Sequence, residues 1–282
     1  MKLVSIVLSF KNEEKNINEI VSLIDNVFKN LSNYNYEILF INDLSTDKSE
    51  EVIKKLQLNY NIILINMSRN FGGAACTMAG FEHSNGDVII YMDTDLQDPP
   101  ELIHELLKNY ENGFEVVHTK RKKRLGEPAI KLFFTKIAYR FINFISDINL
   151  PKDTGDFKLI SRKVLNHILE MKEKDPYIRG LPIWVGFNQK YVEYDRQPRA
   201  HGETKYNFFS LNPYMEIIRA ITSFSAKPLY LGVIMGLITI LLSIILIFYS
   251  FLIKLLNTSA TGVPSILIAI SFFSGVILLK LG

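Results

Sequence analysis

From the amino terminus to about residue 120 the chain alternates short apolar runs with longer stretches in which apolar residues recur every three or four positions. The runs Leu3–Ser9, Tyr36–Ile41, Asn61–Met67, Val88–Met92 and Glu115–Thr119 predict strands. The stretches Glu13–Asn30, Asp47–Tyr60, Gly73–Ser84 and Glu101–Tyr110 predict helices. Alternation of this kind predicts an α/β domain, spanning residues 1–210, with a mostly parallel sheet covered on both faces.

The pattern changes towards the carboxyl end. Leu211–Phe224 carries Leu211, Tyr214, Met215, Ile217, Ile218, Ile221 and Phe224 at helical spacing, opposite Glu216 and Arg219. That stripe predicts an amphipathic helix lying in a membrane interface, over residues 211–227. Leu229–Ile253 is then free of charge, and as a helix it would extend ~37 Å, enough for the ~30 Å hydrocarbon layer. Lys254 interrupts, Asn257–Gly262 forms a polar turn, and Leu255–Leu279 is again uncharged, most densely apolar from Val263. Residues 228–282 are therefore expected to form an antiparallel pair of membrane helices. Arg219, Lys227 and Lys280 flank the pair, a slight bias that puts both ends, and the α/β domain, on the cytoplasmic side of a plasma membrane. Pairing of such helices between copies offers a route to a homo-oligomer.

Composition adds to this picture in three ways. The chain has 282 residues and is 48% hydrophobic, with the excess at the carboxyl end. A net charge of +3, from 32 basic and 29 acidic residues, is too balanced for nucleic-acid binding to be the primary role. The single cysteine, Cys76, excludes an internal disulfide; in Ala74–Met78 it reads as small buried filler. Leu3–Phe10 is too short and too soon followed by charge to be a signal peptide.

The candidate chemistry lies where strands end. Val88–Met92 stops abruptly in Asp93–Thr94–Asp95–Leu96–Gln97–Asp98. In open α/β sheets the carboxyl edge is where ligands bind. Two carboxylates with an amide nearby offer hard oxygen donors for Mg²⁺ or Mn²⁺, an ion that commonly completes its shell from a substrate diphosphate. Asp98 before Pro99–Pro100 reads as a helix N-cap. After the second strand, Ser45 or Thr46 is the expected N-cap and Asp47 suits the first helical turn, leaving Asp43 free to face a ligand. Ser68–Gly73 ends the third strand with glycines that permit a tight turn. The first strand lacks a Gly-x-Gly-x-x-Gly turn and the chain lacks a P-loop, so a metal and side chains must hold any phosphates. Lys120–Arg124 is either a solvated basic run or a patch for anionic headgroups or phosphate. His201 has no second His or Cys at ligand spacing and does not read as a metal ligand.

Taken in order, Ser9–Glu14, Asn42–Asp47, Ser68–Gly72, Asp93–Glu101, Thr154–Leu159 and Arg199–Tyr206, followed by the terminal helix pair, resemble the inverting GT-A glycosyltransferases of family 2. The resemblance is strongest to their polyprenyl-phosphate branch, the bactoprenol glucosyltransferases and dolichyl-phosphate mannose synthases. It implies metal-dependent transfer of a single sugar from a nucleotide sugar, with a lean to uridine diphosphate, onto polyprenyl phosphate such as undecaprenyl phosphate. It implies that Ser9, Lys11, Glu13, Asp43 and Asp93 face the nucleotide, and that Asp93, Asp95 and Gln97 surround the divalent ion. Asp156 would face the sugar or the reacting phosphate, Arg199 and Lys205 would contact phosphates, and Arg121 and Lys131 would take the acceptor's phosphate. Ser9, Lys11 and Asn42 depart from the usual family residues, which bears on how the base is held. The only tryptophan, Trp184, lies outside the Gln-x-x-Arg-Trp motif of processive synthases and reads as a packing residue near the interface. The competing reading is a membrane-anchored, catalytically degenerate scaffold that binds nucleotide sugars; retention of Asp93, Asp95, Asp156, Arg199 and Lys205 speaks against it.

Overall fold

A computed structural model of the chain describes residues 1–122, 140, 142–151, 154–173, 176–196, 212–256 and 263–281. Lys131, Arg199 and Lys205, and with the latter two the whole stretch 197–211, lie outside the described residues.

Among the described residues seven strands form one sheet: β1 (Lys2–Phe10), β2 (Tyr34–Asn42), β3 (Ile62–Asn66), β4 (Val88–Asp93), β5 (Val116–Arg121), β6 (Thr154–Ser161) and β7 (Gln189–Tyr194). Their order across the sheet is β3-β2-β1-β4-β6-β5-β7. The first four pair in parallel and β5 pairs in parallel with β7, but β6 is inserted antiparallel between β4 and β5. The mostly parallel sheet is thus as expected, whereas β6 and β7 were not among the expected strands. β6 ends in Ser161, whose hydroxyl accepts a hydrogen bond from Val164 N (3.3 Å) and caps the next helix.

Helices α1 (Ile17–Lys29), α2 (Ser49–Leu56), α3 (Gly73–His83) and α4 (Ile103–Glu111) follow the first four strands, α4 after a 3₁₀ turn at Pro100–Leu102. Alternate residues of β1 divide between the two faces, as strand geometry requires. Val4, Ile6, Leu8 and Phe10 join Ile38 and Phe40 of β2, the apolar stripe of α1 and Ile103, Leu106 and Leu107 of α4 in one buried core. Val7 faces the other way, towards α3, where a Cβ added to Gly80 would lie 2.3 Å from Val7 Cγ1 and 2.9 Å from Ile41 Cδ1. Only glycine lets α3 approach so closely. Cys76 of the same helix is fully buried, as expected of a filler, and burial, with Asp43 nearby, pushes its thiol up to about 12. Further on come α5 (Arg162–Glu170), the short α6 (Leu181–Val185) and α7 (Asn212–Ser223). Trp184 of α6 is half exposed.

The chain separates into two compact units, residues 1–144 with 148–223 and residues 145–147 with 224–282. The second contains α8 (Lys227–Leu255) and α9 (Val263–Leu281). These two pack directly: a Cβ on Gly236 would lie 2.9 Å from the Gly275 carbonyl oxygen, and one on Gly275 would lie 2.6 Å from Ile240 Cγ1. Ser225 Oγ donates to the Ile145 carbonyl (2.7 Å) and Asp147 N to that of Phe224 (2.9 Å). Among the described residues one helix, Lys227–Leu252, is long and apolar enough to cross a membrane; Ile268–Leu281 is apolar but shorter.

Candidate active site

The ends of β1, β2 and β4 meet at one edge of the sheet, with Ser9 of β1 paired to Asp93 of β4 and to Ile41 of β2. Just beyond these strand ends, Asn12, Leu44 and Leu96 all have positive φ (54°, 57° and 59°). A left-handed leucine is strained, and two at one sheet edge mark loops held in shape by their surroundings.

Cross-linking of the loops supplies that hold. Asn12 N donates to Ser45 Oγ (2.9 Å) and Thr46 N to Asn12 Oδ1 (2.7 Å). Glu13 N donates to Ser49 Oγ (3.0 Å), and Glu14 N to Asp47 Oδ2 (3.1 Å). The expected cap at Ser45 or Thr46 is replaced: Asp47 Oδ1 accepts from Ser49 N (3.1 Å), while Ser45 and Thr46 serve the loop above β1. Asp47 precedes α2 and is not part of its first turn.

Asp43, expected at the nucleotide base, uses both carboxylate oxygens to accept from Phe71 N (2.7 Å) and Gly72 N (3.1 Å). It thereby shapes the turn in which Gly72 takes φ 88°. The Asn70 amide, in the orientation that satisfies both neighbours, donates to Asp43 Oδ2 (3.1 Å) and accepts from Lys11 Nζ. Glu13 is buried and accepts from Asn16 Nδ2 (2.6 Å). Lys11, Glu13 and Asp43 thus share one corner with Ser9, whose carbonyl accepts from Thr94 Oγ1 (3.0 Å).

The acids after β4 are gathered, but not all in the expected roles. Asp95 is 5% exposed and its Oδ1 accepts from Gln97 N (3.2 Å). Asp98 is not an N-cap: the 3₁₀ turn begins after Pro99 without a side-chain cap. It is instead fully buried, accepts the Tyr194 hydroxyl's hydrogen bond at Oδ1, and has Arg196 Nε 3.4 Å from the same oxygen. Proline at the start of the turn needs no N–H partner, which leaves the carboxylate available for this network. Arg196 Nη2 also lies 4.0 Å from Asp93 Oδ2. Burial, then the charges of Asp156, Asp95 and Asp98, push the Asp93 carboxyl up to about 7.

The reversed direction of β6 brings in the fourth acid. Tyr91 of β4 pairs with Lys158 at the end of that ladder, and Asp156, two residues before Lys158, lies near enough to Asp93 for its charge to act on it. Asp156 is held by a residue that the sequence reading missed. Arg179 grips it through two parallel bonds, Nε to Oδ1 and Nη2 to Oδ2, both 2.7 Å. Despite burial, that guanidinium, with Lys158 and Arg121, holds the carboxyl far below the usual range. Lys158 itself is wholly buried, donates from Nζ to the Arg179 carbonyl (3.2 Å), and desolvation pulls it down to about 7. Arg121 closes this side: its Nε donates to the Tyr194 hydroxyl (3.4 Å), and its Nη2 lies 3.5 Å from where a Gly155 Cβ would stand.

Asp93 and Asp95 supply hard oxygen donors, and the repulsion on Asp93, which Arg196 offsets only in part, is the kind a cation removes. Among the described residues no three such side chains form a complete cage. The set fits Mg²⁺ or Mn²⁺, ions that take part of their shell from a substrate's oxygens.

Comparison with known proteins agrees with this arrangement. Residues 5–169 match the glycosyl transferase family 2 model. An uncharacterized glycosyltransferase of Synechocystis sp. is 40% identical over 282 residues, covering 99% of this chain and 87% of the relative. A prophage bactoprenol glucosyl transferase homolog of Escherichia coli is 33% identical, covering 99% of this chain and 91% of the relative. The chain belongs to glycosyl transferase family 2 and is a transferase. Among solved structures, glucosyl-3-phosphoglycerate synthase from Mycobacterium tuberculosis, in complex with Mn²⁺, uridine diphosphate and phosphoglyceric acid, aligns with a TM-score of 0.52. That alignment has 15% identity, covers 78% of this chain and 76% of the other, and shows the shared GT-A fold.

Proposed function

We propose that this transferase moves one hexose from a nucleotide sugar, with uridine diphosphate as the favoured leaving group, to polyprenyl phosphate at the cytoplasmic face of a plasma membrane. The observation that carries the reading is the acid cluster at the carboxyl end of β4, faced across β6 by the Asp156–Arg179 pair and Arg121. The names of the bactoprenol glucosyl transferase relatives support the lipid acceptor. In this reading residues 1–210 are the cytosolic catalytic domain and 211–227 the juxtamembrane helix. Residues 228–282 form a two-helix membrane hairpin, supported by the apolar surface of α8 and α9, and copies associate through those helices.

A phosphate oxygen of the acceptor displaces the nucleoside diphosphate at the anomeric carbon, with inversion. Asp93 and Asp95, with Gln97 adjacent, would hold the divalent ion, which supplies charge neutralisation for the departing diphosphate. Ser9, Lys11, Glu13 and Asp43 form the corner that would receive the nucleoside. Asp156 keeps no proton at working pH, because Arg179 stabilises its anion, so it orients its ligand and does not act as a base. No strong base is required: a phosphate monoester, with its second pKa ~6, is already largely dianionic at neutral pH. Arg121 presents its guanidinium to that phosphate, and Arg199, Lys205 and Lys131 would add positive charge.

The test is label transfer from a panel of nucleotide sugars to polyprenyl phosphate by the full-length protein. Chelation and Asp95→Asn should each abolish transfer. Full activity in Asp95→Asn would defeat the metal assignment, and label delivered only to water or to a soluble sugar would defeat the lipid acceptor.

A further inference from the structure

The reacting edge is electrically divided. One half holds Asp93, Asp95 and Asp98, with Arg196 between the first and last. The other half is built the opposite way: Arg121 and Arg179 both act on the single carboxylate of Asp156. Arg121 is shared with Asp98 and the Tyr194 hydroxyl, Arg179 meets Asp156 in two parallel bonds, and the buried Lys158 lies behind Arg179. The family resemblance assigns Arg121 and Lys131 to the acceptor's phosphate and gives Arg179 no role.

We propose that Arg179 is a ligand of the acceptor's phosphate monoester, sharing its guanidinium between that phosphate and Asp156. The inference rests on the polyprenyl-phosphate reading above and adds a residue to it. The fork that meets Asp156 in two parallel bonds is equally matched to a phosphate, which carries ≈ −1.5 to −2 charge against the one charge of a carboxylate. Both side chains can be reached, Arg179 being 35% exposed and Asp156 31%. The stem is fixed from behind, because Lys158 Nζ holds the Arg179 carbonyl and Lys158 sits on the strand that carries Asp156. Arg121 lies beside Gly155, next to Asp156, so the two guanidiniums flank the same end of β6. When a phosphate takes a share of Arg179, Asp156 loses part of its partner just as the acceptor arrives. Asp156 is thereby a placeholder that keeps the cationic half organised until the acceptor binds.

The experiment uses full-length protein in detergent, with a short-chain polyprenyl phosphate as acceptor and the active nucleotide sugar as donor. Arg179→Gln should raise the acceptor KM roughly ten- to hundredfold, the range of a lost charge-assisted contact, with donor KM within about twofold of the parent. Arg179→Lys should recover part of that loss. Calorimetric titration with the same lipid phosphate, without donor, should show Asp156→Asn binding several-fold tighter than the parent, since a competitor for Arg179 is gone. An unchanged acceptor KM in Arg179→Gln overturns the inference, as does an equal rise in both KM values, or weaker lipid-phosphate binding by Asp156→Asn. Should Arg179→Gln fail to fold, Arg179→Lys and the Asp156→Asn titration decide. If the parent forms no lipid-linked product yet the phosphate titrates and depends on Arg179, the functional reading fails while the phosphate site stands. If the parent does not bind the lipid phosphate, the site falls with it.

Discussion

Tyr194→Phe isolates one hydroxyl that joins three parts of the site. Tyr194 is 4% exposed, donates to the fully buried Asp98 and accepts from Arg121 Nε (3.4 Å). Phenylalanine keeps the ring and removes only the bridge. Asp98 would retain Arg196 Nε at 3.4 Å, so its charge is not stranded. The bond to ionised Asp98 is worth ~1.5–3 kcal/mol and dominates the loss, the longer 3.4 Å bond from Arg121 going with it. For a domain of this size that corresponds to a fall in Tm of roughly 4–10 °C. The pH dependence has a definite sign. Burial raises the Asp98 carboxyl pKa in the folded protein, and the Tyr194 hydrogen bond opposes that rise. Without Tyr194 the folded pKa climbs further above the unfolded value, so the penalty is complete while folded Asp98 is ionised. It fades as pH falls through the folded pKa, where Asp98 is neutral. Thermal unfolding of the full-length protein in detergent, over a pH series descending from about 8, reads both effects. A Tm equal to the parent's at the highest pH, or a loss that does not shrink as pH falls, would refute the reasoning.

Two further outcomes follow from packing and burial. Gly80→Ala forces a Cβ to 2.3 Å from Val7 Cγ1 and should cost ~1–3 kcal/mol; Val7→Ala in the same chain should restore part of it, and a double-mutant cycle with no coupling would count against the α3–β1 contact. Lys158 is pulled down to about 7 from 10.5, so the unfolded chain holds more protons than the folded one across that window and the parent gains stability as pH rises through it. Lys158→Met should remove the gain, seen as a Tm difference between parent and variant that changes from pH 7 to pH 9; a constant difference would show that Lys158 does not titrate there.

Much of the framework was legible along the chain because the first half obeys local rules. Apolar runs β1, β2 and β4 are buried on both faces, and α1 carries its apolar stripe at helical spacing, so each element announced itself without its neighbours. The strand-end motifs were located for the same reason. What was not legible depends on partners far away in sequence. The motif at Thr154–Leu159 was visible, yet nothing local says that it runs antiparallel between β4 and β5. Arg179 lies 23 residues from Asp156 in a stretch with no periodic signal, and the bidentate pair exists only once the sheet is built. Asp98 satisfied every local requirement of a cap, and long-range contacts with Tyr194 and Arg196 outcompeted it. Asp43 seemed free to face a ligand because the backbone amides it binds, at Phe71 and Gly72, are contributed by a loop after a different strand.

The reversed strand β6 has a consequence for how activity is distributed along the polypeptide. The amino-terminal 122 residues carry the acids after β4, and the section from Thr154 to Arg196 carries Asp156, Arg179 and Tyr194. On the proposed reading neither section holds a finished reaction centre, and a gene cut between them should encode two silent fragments that regain turnover only on reassembly.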